Sequence, residues 1–117
     1  MNNYLALLKK MLPEVLVDHF DLIKTEEKGE ELHIHFEEKN EVPPEHNSLQ
    51  LVSHGLRSPI QIQDFPLRGL SVILHIRRRR WKDKQSGKLV QRDWSLVATG
   101  TRLTEEFASF LKELNRY

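Results

Sequence analysis

From Ser71 to Ile76 apolar and polar residues alternate, with Val72, Leu74 and Ile76 on one parity, and the alternation runs directly into Arg77-Arg78-Arg79-Arg80-Trp81. A period of two commits such a segment to a strand with one buried face. Continued alternation puts Arg77 and Arg79 with Ile73, His75 and Trp81 on one face, and Arg78 and Arg80 on the face of Val72, Leu74 and Ile76. Both faces of the strand end are then expected to be basic. Four adjacent guanidinium groups repel one another, so their natural counter-charge is a phosphate backbone or an acidic protein surface. The competing reading is a solvated run, or one paired with acidic residues elsewhere in the chain.

Those acidic residues are concentrated at the other end of the sequence. Residues 1–48 carry 5 Lys/Arg against 11 Asp/Glu, and residues 49–117 carry 13 against 6. The basic half is therefore the expected binding half. With 117 residues, 38% of them hydrophobic, the chain suffices for one core and is read as a single domain over residues 1–117. There is no cysteine, which removes disulfides, thiolate metal sites and a cysteine nucleophile. The segment from Met1 to Leu12 carries Lys9 and Lys10 at its end, lacks a small-residue cleavage site and is too short to span a bilayer. A soluble, cytoplasmic protein without membrane contact is expected.

Tyr4, Leu5, Leu7, Leu8, Met11 and Leu12 recur at helical spacing, and Pro13 ends that helix or opens a second one through Phe20. Leu32, Ile34 and Phe36 then alternate with Glu31, His33, His35 and Glu37, and the stretch from Glu26 to Glu30 reads as a hairpin turn. Asn40 to Ser48, with Pro43-Pro44, reads as a loop. Leu49 to Val52, then Ile60 and Ile62, suggest short strands, followed by a turn from Asp64 to Gly69. Val90, Trp94 and Leu96 share one parity, so a second, longer hairpin is expected around the turn from Asp83 to Lys88. Thr104 is placed to cap a last helix, with Glu105 and Glu106 in its first turn and Phe107, Phe110, Leu111 and Leu114 on one stripe. The fold expected is α+β: a small antiparallel sheet built from hairpins, two short N-terminal helices and one C-terminal helix.

A basic ribbon of this kind can set guanidinium groups against phosphates or base edges, with Lys82, Lys84, Lys88 and Arg92 adding charge and Trp81 bracing the ribbon or stacking. His33 and His35 fall on one strand face, but sequence places no third ligand beside them, so no metal and no cofactor is expected. His54 and His75 read as structural or nucleic-acid-facing. Asp64, Asp93, Glu105 and Glu106 are each explained by turns or helix-start electrostatics, and no phosphate loop or nucleophile-base pattern is present, so an enzyme is not expected.

The order His54-Gly55, Ile62-x-Asp64-Phe65-Pro66-Leu67-x-Gly69, Val72-x-Leu74-x-Ile76-x-Arg78-Arg79 and Thr101 to Phe107 resembles the N-terminal region of ISL-three-type insertion-sequence transposases, above all the separately encoded N-terminal protein of the ISAon type. The resemblance is best over residues 54–107. In the larger family this region is similar to a small zinc finger that feeds a helix-turn-helix ahead of a DDE-type catalytic domain. Here the knuckle cysteines have no counterpart, Trp81 standing near one of their places, and the chain reaches Tyr117 after one helix and before any catalytic acids.

The resemblance implies a non-catalytic accessory subunit that helps bind the terminal inverted repeats of its element and docks on a separate catalytic transposase chain. Arg77, Arg78, Arg79, Arg80, Trp81, Lys82, Lys84, Lys88 and Arg92 are the expected DNA contacts, and Phe107, Phe110 and Leu114 the expected partner surface. The other reading is a protein-interaction subunit whose basic ribbon binds an acidic partner without touching DNA.

Overall fold

The computed structural model describes residues 14–46, 48–94 and 105–116. A short helix α1 (Glu14–His19) leads into β1 (Phe20–Lys28) and β2 (Glu31–Glu38). A single 3-10 turn at Pro44–His46 precedes β3 (Leu51–Leu56), β4 (Ile60–Leu67), β5 (Leu70–Arg77), β6 (Arg79–Asp83) and β7 (Leu89–Val90), and α2 (Glu105–Asn115) follows. The strands form a four-stranded sheet in the order β1-β2-β5-β4 and a three-stranded sheet in the order β3-β6-β7.

This corrects the expected α+β architecture. The described residues are mostly strand, with one helix longer than six residues. The first of the two expected N-terminal helices lies outside the described residues. The second is a six-residue turn of helix that gives way to a strand at Phe20. The principal sheet is also mixed: β1-β2 and β4-β5 are antiparallel hairpins, but β2 and β5 run parallel at its centre.

Alternation explains the core. Leu32, Ile34 and Phe36 of β2 and Val72, Leu74 and Ile76 of β5 point to one face, in register across the parallel pair. That face is closed by Val15 and Leu16 of α1, by Trp94, and by Phe110, Leu111 and Leu114 of α2. The first hairpin turns at Gly29-Glu30, with the positive φ of Gly29 supplying what a two-residue turn requires. The turn expected from Asp64 to Gly69 is shorter: β4 continues through Leu67, a register shift between Asp64 and Leu67 accommodates Pro66, and only Arg68-Gly69 turn.

The second expected hairpin is correct in its turn and wrong in its length. Only Trp81 and Lys82 pair with Val90 and Leu89. Trp94 leaves the ladder and packs against Phe20, ring centroids 5.0 Å apart, in the core of the other sheet. Leu96 and Thr104 lie outside the described residues. No helix among the described residues is long and apolar enough to cross a membrane.

Candidate nucleic-acid interface

The arginine run is the joint between the two sheets, and its four side chains take four different roles. Ladder pairing lapses at Arg78, and the buried parity shifts there, from Val72, Leu74, Ile76 and Arg78 to Trp81 and Asp83. Arg78 thus occupies the next inward position after Ile76, only 3% exposed, and donates from Nη1 to the carbonyl of Leu114 at 3.0 Å. A guanidinium here serves one of the unsatisfied carbonyls at the end of α2, where the helix dipole favours a cation.

Arg79 is tied down on the other side. Its backbone N–H donates to Glu38 Oε1 at 2.8 Å, its Nε to the Glu38 carbonyl at 3.3 Å and its Nη1 to Ser53 Oγ at 2.7 Å. Arg77 donates from Nε to the carbonyl of Arg57 at 3.0 Å and lies 3.7 Å from Glu37. Arg92 is buried, donates from Nη2 to the Glu41 carbonyl at 2.8 Å, and stands over the Trp94 ring. Trp81 is fully buried, so it braces the second sheet and offers no stacking face. The expectation that Arg78, Arg92 and Trp81 face a ligand is therefore corrected. Period-two geometry carries Arg78 inward with Ile76, and the parity shift carries Trp81 inward in turn.

Glu38 is the acidic centre of this joint. It is 2% exposed, and Arg92 Nε lies 3.6 Å from its Oε2, too far for a full hydrogen bond. Desolvation therefore dominates and pushes the carboxyl up to about 7, against the N–H of Arg79 and the charge of Arg92.

The remaining basic residues converge on one surface. Arg80 and Lys82 share the outward parity of β6, and Lys82 pairs across the sheet with Val52 on one side and Leu89 on the other. Val52 and Leu89 are 39% and 44% exposed, so basic and apolar groups alternate across this face. Lys84 and Lys88 extend it at the turn that Asp83 organises, where hydrogen bonds from Ser86 hold the Asp83 carboxyl below the usual range. Arg80, Lys82, Lys84 and Lys88 make no ion pair among the described residues.

Beside this face lies a groove of about 590 Å³ lined by Arg57, Ser58, Pro59, Gln61, Arg78 and Arg80, with Leu56 and Ile60, and by no carboxylate among the described residues. Arg57 is held there by its Nη1 bond to Gln91 Oε1 at 2.6 Å and by its N–H bond to the Arg78 carbonyl at 2.7 Å. Burial, and then the charge of Arg57, press Arg78 below the ordinary arginine value, while Glu38 opposes the shift. Arg57 and Arg80 border this groove with guanidinium groups that suit an anion, while Arg78 lies buried in its wall with its Nη1 committed to the Leu114 carbonyl.

Arg57 and Ser58 were not among the expected contacts. The only sequence signal was their position before Pro59, because the loop is brought to the arginines by the β4-β5 hairpin rather than by proximity in sequence. The expected partner surface is not open: Phe110 and Leu114 are buried in the core, and the side chain of Phe107 lies outside what the structure describes. Of the carboxylates weighed for catalysis, Asp64 sits within β4 opposite Val72, and Asp93 is tied to Asn115 and Glu45. No family model, curated protein or solved structure matches the chain.

Proposed function

We propose that the chain is a non-catalytic nucleic-acid-binding module that engages phosphates through the outer face of β6 and the adjoining arginine groove. The observation that carries this reading is the set of Arg80, Lys82, Lys84 and Lys88, which make no ion pair among the described residues, beside a groove bordered by Arg57 and Arg80. Such a surface suits a polyanion with regularly spaced charges. The sequence resemblance extends the proposal to an accessory subunit of an insertion-sequence transposase, acting on the terminal repeats of its element with a separately encoded DDE-type chain. That extension rests on the order of motifs over residues 54–107.

A salt series of anisotropy titrations tests the reading, with duplexes from the DNA flanking the gene against scrambled duplexes. Arg80→Ala and Lys82→Ala are each expected to weaken binding and to lower the salt slope by about one unit. Lys24→Ala, on β1 of the other sheet, is expected to leave it unchanged. Absence of binding at low salt, or slopes identical in all variants, would overturn the proposal.

The exposed Val52 and Leu89 flanking Lys82 favour a second reading, in which the same face meets an acidic protein with apolar contacts of its own. Retained DNA binding in Val52→Ser with Leu89→Ser would speak against that partner.

A further inference from the structure

The groove beside β6 is larger and less polar than a phosphate contact requires. Its 590 Å³ is lined by the apolar side chains of Leu56, Pro59 and Ile60 as well as by Arg57, Gln61 and Arg80. Sites of roughly 300–1,000 Å³ with an apolar lining and a few polar groups are the size that encloses a small organic ligand. A backbone phosphate of a duplex, by contrast, meets surface cations without entering a cavity.

The two cations at its border differ in how they are held. Arg57 is fixed at three points: its N–H donates to the Arg78 carbonyl at 2.7 Å, its carbonyl accepts from Arg77 Nε at 3.0 Å, and its Nη1 donates to Gln91 Oε1 at 2.6 Å. Its guanidinium plane is therefore in place before any ligand arrives. Arg80 has the opposite character. Its Nε is screened from water without a hydrogen-bond partner among the described residues, and the side chain makes no ion pair among them. A guanidinium in that state lacks an acceptor, and an oxyanion supplies one. Arg80 also shares the outward parity of β6 with Lys82, so a nucleic-acid strand lying across that face is led to the groove. Gln61, exposed near the start of β4, brings an amide that both donates and accepts.

We infer that the groove receives one unpaired nucleotide of a nucleic-acid strand whose neighbouring phosphates lie on β6. This rests on the phosphate-binding reading of that face. Arg80 takes the phosphate of the nucleotide, the Arg57 plane and the apolar lining take its base, and the Gln61 amide meets an edge of the base. A base inside a duplex is stacked on both faces and paired at its edge, so it enters no such groove unless it is extruded. A base in a single-stranded end has a face and an edge to offer, and arginine planes are among the surfaces on which such bases stack. The ligand is thus a duplex with an unpaired end, or a single strand, in preference to uninterrupted duplex.

Anisotropy titrations of the full chain at one low salt concentration test this with three kinds of DNA: a blunt duplex, the same duplex with a three-thymidine overhang (5′ in one version, 3′ in another), and the same overhangs built from abasic residues. One of the thymidine overhangs is expected to bind at least about fivefold tighter than the blunt duplex, and tighter than its abasic counterpart, which carries the same phosphates. Arg57→Lys keeps the charge and loses the planar face, so it should bind blunt duplex as wild type does and lose most of the preference for the overhang. Gln61→Ala, at an exposed position, should reduce the same preference, and circular dichroism confirms the fold of both variants. Equal affinity for blunt and overhanging duplexes would overturn the inference and leave the phosphate-binding reading standing. So would abasic overhangs that bind as tightly as thymidine, or a preference undiminished in both folded variants. No binding of any of these DNAs would overturn both.

Discussion

Glu38 is the residue at which charge and burial oppose each other most directly. Its carboxyl holds a proton up to about 7 when folded, against an ordinary value of 4.5. Between those values the folded chain binds more proton than the unfolded one, so this group's contribution to stability falls as pH rises from about 4.5 to about 7. His19 and His75 act in the opposite sense, because burial lowers both and stability gains as they deprotonate in the unfolded chain. The contribution of Glu38 therefore emerges as a difference. Glu38→Gln keeps an acceptor for the Arg79 N–H and removes the titration. Urea midpoints at pH 5 and pH 8 should show the wild type losing roughly 2–3 kcal/mol more than the variant over that interval. Equal losses in the two proteins would mean that Arg92 already keeps Glu38 ionised. Trp81 presents a simpler case. It is fully buried and its Nε1 has no hydrogen-bond partner among the described residues, so Trp81→Phe should cost markedly less than Trp81→Ala, for which about 3–5 kcal/mol is expected in the same melts.

At the scale of elements, the hairpins follow from local chemistry, and their weak points can be named. The β4-β5 turn places both Arg68 and Gly69 at positive φ, 50° and 81°, the pattern of a turn that favours Asn-Gly. Arginine is strained there, so Arg68→Asn should raise stability by about 0.5–1 kcal/mol, read as an increased melting temperature. An unchanged or lowered value would show that the Arg68 side chain compensates through contacts of its own. The sequence announced β2 and β5 through Leu32, Ile34, Phe36, Val72, Leu74 and Ile76, because alternation is a property of each strand alone. It could not announce that β2 pairs with β5 in parallel, since that choice is decided by which inner faces close one core. The arginine run was legible in part. Alternation had already grouped Arg78 with Ile76, but charge argued for exposure, and the parity shift after Arg78 that buries Trp81 leaves no periodic trace. The groove was half legible: Arg80 through the arginine run, Arg57 only through the β4-β5 hairpin that brings its loop to the arginines.

For the molecule as a whole, that central pairing means the acidic and basic halves of the sequence are not separable folding units. Leu32, Ile34 and Phe36 from the first half and Val72, Leu74 and Ile76 from the second form one buried face. The Ser71 N–H also donates to the Glu30 carbonyl at 2.8 Å, and Glu38 receives Arg79 and faces Arg92 across the same divide. The charge asymmetry of the sequence is thus partly spent at the joint between the sheets. What remains outward on the second sheet is the Arg80-Lys82-Lys84 side of β6. Peptides 1–48 and 49–117, each deprived of half the inner face, are expected to give no cooperative melt alone and to recover one when mixed, with dispersed amide resonances reporting the reconstituted sheet. Cooperative unfolding of 49–117 by itself would instead make the three-stranded sheet and β4-β5 an independent unit, with β1-β2 an addition to it. The two outcomes also bear on binding, because Arg80 and Lys82 hold their places through Trp81 and Asp83 on the inner side of β6. If that side folds only when β2 is present, the phosphate-facing surface exists only in the joined chain, and DNA affinity should return on mixing together with the melt.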